Sequence, residues 1–151
     1  MTFSQALEIR AGITAVIGSG GKSTLLEVLA RELGRQGTVV LCTTTRMYPA
    51  RNCFTLYEPD EETLEEALKA LGVVCVGRAE REGKLSVPGL SMEILCRLAD
   101  FVLVEADGSK GLPLKAHAPY EPVIPHETGQ TICVVGLSGL GKTVQEAAHR
   151  P

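Results

Sequence analysis

The run Gly18-Ser19-Gly20-Gly21-Lys22-Ser23-Thr24 gathers, in consecutive positions, the groups that hold a phosphate. Its glycines admit positive φ and bring backbone N–H groups close to an anion, Lys22 can neutralise phosphate oxygens, and Ser23 can ligate Mg²⁺. Ser19 and Thr24 add hydroxyls on either side. A second run, GLSGLGKT at 136–143, matches the Walker A pattern G-x-x-x-x-G-K-[ST] letter for letter. The first run fails that pattern, because Val16 stands where its first glycine belongs and the loop is correspondingly tighter. Context decides between them. The apolar strand ITAVI at 13–17 delivers the first run, and a helix from Ser23 places its positive end beside it. After Thr143 only VQEAAHRP remains, too short and polar for a packed helix, so the second run is expected to hold no nucleotide.

Two carboxylates close the apolar stretch FVLVE at 101–105: Glu105 itself and, past Ala106, Asp107. Carboxylates there are costly to bury unpaired, and either can hold Mg²⁺ directly or through water. Thr43, Thr44, Thr45 and Arg46 follow another apolar run. Thr44 and Thr45 could orient Mg²⁺ or water and Arg46 could meet a phosphate, although β-branched threonines also simply favour strands. From 106 to 130 the chain loses its periodicity and carries Lys110, Lys115, His117, Glu121 and His126. Lys110 and Lys115 are the candidates for the transferred group, since phosphoryl transfer wants positive charge there. The two histidines read as surface residues. Asp107 and Lys22 complete the catalytic candidates.

These residues need a scaffold that presents strand ends beside a helix N-terminus. Buried strands are expected at 13–17, 38–45, 73–77, 101–105 and 131–137, and helices at 23–34, from 59–60 to 71, and at 91–98. Strands apolar throughout, alternating with helices, imply an α/β fold with a mainly parallel sheet covered on both faces. A length of 151 residues suits a single domain, 1–151. The five cysteines show no C-x-x-C pair, which argues against zinc or a disulfide framework and for a reducing cytoplasm. A formal charge of −3 without a basic stripe argues against nucleic acid, and no apolar run has the roughly 20 residues of a membrane helix.

Taken together, GSGGKST, CTTTRMYP, VEADGSKGLPLKAHAPYEPVIP and GLSGLGK…HRP resemble the YqeC family. The resemblance implies a P-loop NTPase-like fold in a bacterial accessory protein that matures a selenium-dependent molybdenum hydroxylase. It also implies nucleotide contacts at Gly18, Gly20, Gly21, Lys22 and Ser23, with Glu105 and Asp107 as the acidic pair. The short loop is similar to the G-T-x-G-K-[ST] loop of the Mur ligases. The chain departs from the family pattern at His117, where K-A-P-A is expected, and at Thr143, where L-G-K-P is expected. Similar chains continue past His149-Arg150-Pro151, which implies truncation. The expectation is a protein that binds Mg²⁺ and ATP, with ATP preferred to GTP because no N-K-x-D run is present, and that serves the hydroxylase or its cofactor. The alternatives are a small-molecule kinase or ATP-dependent ligase, and a nucleotide-gated binding module without turnover.

Overall fold

The computed structural model describes residues 1–151. Its elements in chain order are α1 (Phe3–Ala6), β1 (Gly12–Gly18), α2 (Lys22–Leu33), β2 (Val39–Thr43), β3 (Arg46–Met47), β4 (Phe54–Tyr57), α3 (Glu61–Leu71) and β5 (Val73–Ala79). There follow β6 (Leu85–Ser86), α4 (Met92–Leu98), β7 (Phe101–Glu105), β8 (Leu114–Lys115), β9 (Thr128–Val134), α5 (Val144–Ala147) and β10 (Ala148–His149). Six strands pair in parallel in the order β4-β5-β2-β7-β1-β9. The short β3 and β6 add an antiparallel flap to the end of β5, and β8 with β10 forms a separate parallel pair. No helix is long and apolar enough to cross a membrane.

The apolar strands predicted two buried faces, and both are covered. Val40, Val74, Val102 and Val104 meet Leu64 and Leu68 of α3 and Leu95 of α4. The alternate residues Val16, Leu41 and Leu103 meet Leu26, Leu29 and Leu33 of α2. Strand side chains alternate between faces, so continuous apolarity in β2 and β7 fits a sheet sandwiched by helices. Local signals set the helix limits. The Asp60 and Ser91 side chains accept from the Thr63 and Ile94 N–H groups at 2.9 and 3.3 Å, starting α3 and α4.

Three boundaries differ from the sequence reading. β2 ends at Thr43 rather than at 45, because the Thr43 hydroxyl accepts from the Thr45 N–H at 3.0 Å and turns the chain into β3. β9 begins at Thr128 and ends at Val134, three residues earlier than expected. Beyond it Gly136 donates to the Pro113 carbonyl at 2.8 Å, which draws the chain out of the sheet. β4 was not expected at all. It is an edge strand whose Phe54 and Tyr57 are exposed, so it lacks a buried-strand pattern.

Candidate functional site

β1, β2 and β7 end side by side, with Thr43 and Val16 each level with Glu105 in the ladder. The first glycine run leaves β1 and enters α2. Gly18, Gly20 and Gly21 have φ of +91°, +82° and +123°, so the turn depends on glycine. The N–H groups of Gly20, Gly21, Lys22, Ser23 and Thr24 find no acceptor within the chain. Five such donors at the start of a 12-residue helix form an anion cradle by geometry and by helix dipole.

Asp107 is the hub behind this cradle and is fully buried. Its Oδ2 accepts from the Gly18 N–H at 2.9 Å and lies 2.8 Å from His117 Nε2 and 3.3 Å from Lys115 Nζ. Its Oδ1 lies 3.1 Å from Lys22 Nζ. Lys22 also donates to the Gly18 carbonyl at 2.6 Å, so its ammonium is held under its own loop. Burial alone would raise the Asp107 pKa, but the Gly18 N–H, His117 and Lys22 outweigh it and hold the carboxyl below its usual range. Glu105 is different. Burial pushes its pKa up despite Lys22 and the Ser23 hydroxyl, which donates to Glu105 Oε2 at 3.1 Å. Two neighbouring carboxyls thus titrate in opposite directions.

Beside the cradle opens a cleft of about 640 Å³ lined by Lys22, Ser23, Thr24, Arg46, Glu105 and Lys110, among others. Most of the predicted residues therefore meet at one place. Lys115 does not face this cleft. Its side chain is buried, donates to the Gly108 carbonyl at 2.5 Å and pairs with Glu121, bridging that residue to Asp107. The Thr44 hydroxyl donates to the Val123 carbonyl at 2.5 Å and fastens the end of β2 to the 106–127 segment, the Thr45 N–H donates to the Thr43 hydroxyl, and neither Thr44 nor Thr45 lines the cleft. His117, read from sequence as a surface residue, contacts Asp107, whereas His126 is exposed and unengaged.

The second glycine run has a packing role. An added Cβ on Gly20 would lie 2.5 Å from the Gly136 Cα, and one on Gly136 would lie 2.8 Å from the Pro113 Cβ. Gly136 thus lets the 136–143 loop rest directly on the phosphate-loop candidate. Lys142 is exposed, and α5 has four residues. Sequence reasoning missed Arg150, which pairs with Glu121 at 2.9 Å and stacks on Tyr120 at 5.2 Å. It also missed Ser109, Tyr48 and Lys84 in the cleft wall. No local pattern marks these residues, since only the fold brings them there.

No group of three or more His, Cys, Asp and Glu side chains is disposed to hold a metal.

A family profile described as YqeC protein matches residues 14–151. The uncharacterized protein YqeC of Escherichia coli (strain K12) is 34% identical over 149 residues, covering 93% of this chain. The chain spans 58% of the length of that relative. No solved structure matches it.

Proposed function

Since this chain belongs to the YqeC family, we propose that it is a P-loop NTPase-like protein that binds a nucleoside triphosphate, ATP by preference, with Mg²⁺, and acts in maturing a selenium-dependent molybdenum hydroxylase. The observation that carries the nucleotide reading is the set of five unpaired N–H groups at residues 20–24, on a loop with three positive-φ glycines. The residues present fit the group: the five free N–H groups suit an anion, and Ser23 with Glu105 offers oxygens for a hard cation. A bound nucleotide would supply the transferable phosphoryl group. In this reading Gly20, Gly21 and Ser23 donate N–H groups to phosphate, Lys22 neutralises it, and Arg46 and Lys110 add charge from the cleft wall. Ser23 and Glu105 hold the metal, and Asp107 orients Lys22 and the Gly18 N–H. The hydroxylase role rests on the family resemblance alone.

Calorimetry with ATP and GTP, with and without Mg²⁺, tests the nucleotide reading. Lys22→Ala is expected to weaken binding at least tenfold, the scale of about 1.5–3 kcal/mol for a charge-assisted contact. Lys142→Ala is expected to leave it unchanged. Loss only in Lys142→Ala, or no binding by the native chain, overturns the reading. Turnover that appears only with an acceptor present would favour a kinase or ligase over a hydrolase. For the cellular role, disruption of the gene in a bacterium that makes such a hydroxylase is expected to lower the activity of that hydroxylase without lowering its abundance.

A further inference from the structure

On the α2 face of the sheet, helix α2 packs on β1, β7 and β2, its C-cap Gly34 meets Val73 at the start of β5, and residues 50–54 lie alongside. Between them lies a cavity of about 510 Å³. Its apolar lining comprises buried Leu41 from β2, half-buried Val73 from β5, and the exposed Phe54 from β4 and Leu71 from the end of α3. Its rim carries Arg31, Arg35 and Arg51, none of which pairs with a carboxylate in the chain. The one acid at the rim, Glu27, accepts from the backbone N–H of Arg51 at 2.8 Å and so fixes that side of the opening. Cys53 also lines it, and burial together with Cys75 and Glu27 pushes its thiol up to about 12, so the cavity holds no thiolate at neutral pH. The volume lies within the range of about 300–1,000 Å³ for small-molecule sites, and an apolar body with a few charged groups at the rim is their usual chemistry. Arginine rather than lysine at all three positions suits carboxylate or phosphate, which its planar fork meets through two N–H groups.

The cavity also shares walls with its neighbours. Glu27, Ala50 and Arg51 line both it and a neighbouring hollow of about 300 Å³, and Thr24, Met47 and Tyr48 line both that hollow and the cleft beside the phosphate-loop candidate. Thr24 lines the cavity as well, which places its inner end beside the first turn of α2.

We infer that this cavity binds a small organic anion with a planar or otherwise apolar body, its carboxylate or phosphate held by Arg31, Arg35 and Arg51 and its other end directed toward Thr24. Recognition of the anion stands independently of the nucleotide proposal. Only its role as a second ligand lying next to the nucleotide rests on that reading.

The test uses 1-anilinonaphthalene-8-sulfonate, an aromatic anion of suitable size, and N-phenyl-1-naphthylamine, its neutral counterpart. The protein is first shown by circular dichroism to melt cooperatively. The native chain is expected to bind the sulfonate saturably, one per chain and more tightly than the neutral probe. Replacing the three exposed arginines by serine is expected to weaken sulfonate binding at least tenfold, and the single Arg35→Glu change severalfold, with neutral-probe binding unchanged. Lys22→Ala should leave sulfonate binding intact. Equal affinity for the two probes, sulfonate binding that survives both arginine variants, sulfonate binding lost in Lys22→Ala, or no saturable signal each overturns the inference. A native chain that fails to bind nucleotide yet binds the sulfonate as described would sink the nucleotide reading and leave this one standing.

Discussion

Asp107 joins residues far apart in sequence: Gly18, Lys22, Lys115 and His117 all reach its carboxylate. Because its pKa lies below the unfolded value, the stability its charge contributes is present at neutral pH and is lost as pH falls through the carboxylate range. Asp107→Asn leaves the buried Lys22 without a carboxylate partner, while Lys115 keeps Glu121, and is expected to cost about 3 kcal/mol at pH 7, the scale for breaking a buried pair. The deficit should shrink toward pH 3, as thermal melts across pH would record, and a constant deficit would refute the account. Glu105 has the opposite sign. Its folded pKa is raised, so its contribution is complete in acid and is lost as pH rises through that raised value. Glu105→Gln is therefore expected to melt no lower than the native protein at pH 7 while losing Mg²⁺-dependent nucleotide affinity. At this scale the sequence made Lys22, Ser23, Glu105 and Asp107 legible as a set, because their types and strand-end positions imply chemistry. Arg150 and the burial of Lys115 were not legible, since they depend on how the 106–127 segment folds back.

The phosphate-loop candidate depends on glycine to different degrees along its length, which gives an element-level prediction. A Cβ on Gly18 would lie 2.2 Å from the Val134 carbonyl oxygen, and one on Gly20 2.5 Å from the Gly136 Cα, so either alanine forces β9 or the 136–143 loop away. Gly21 has open space around it and only the strain of φ +123°. Gly18→Ala and Gly20→Ala are expected to lower the melting temperature more than Gly21→Ala, whose cost is of order 1–3 kcal/mol from backbone strain. A more harmful Gly21→Ala would mean that the contacts at Gly18 and Gly20 relax easily. The buried strands and capped helices were legible because apolar runs, Asp60 and Ser91 act locally. β4 and the start of β9 were not, because edge strands bury little and their residues carry no two-sided apolar signature. At 136–143 the Walker match has a packing use, since Gly136 admits Pro113, which a regular expression does not distinguish from the close approach of a ligand.

Across the whole molecule, the parallel pair β8–β10 fastens residues 148–149 beside the segment that carries Lys115, and Arg150 reinforces it through Glu121. Burial opposes ionisation of Glu121, but Lys115 and Arg150 hold its pKa below the usual range. Arg150→Ala is expected to speed amide exchange severalfold in residues 106–123, through local opening, while the exchange of β1 and β7 stays fixed. Unchanged exchange at 106–123 would show that the pairing adds nothing to the order there. β1 itself is bonded on both sides, to β7 and to β9, and its ladder with β9 runs up to Gly18, where the Ser19 N–H adds a bond to the Val134 carbonyl at 2.8 Å. One side of the cleft is thus tied to the central sheet, and the other is held where the buried Lys115 donates to the Gly108 carbonyl. In the nucleotide reading, a cleft held on both sides loses little entropy on capturing an anion, so Lys115→Ala, which frees the Gly108 carbonyl, should weaken binding chiefly by speeding release.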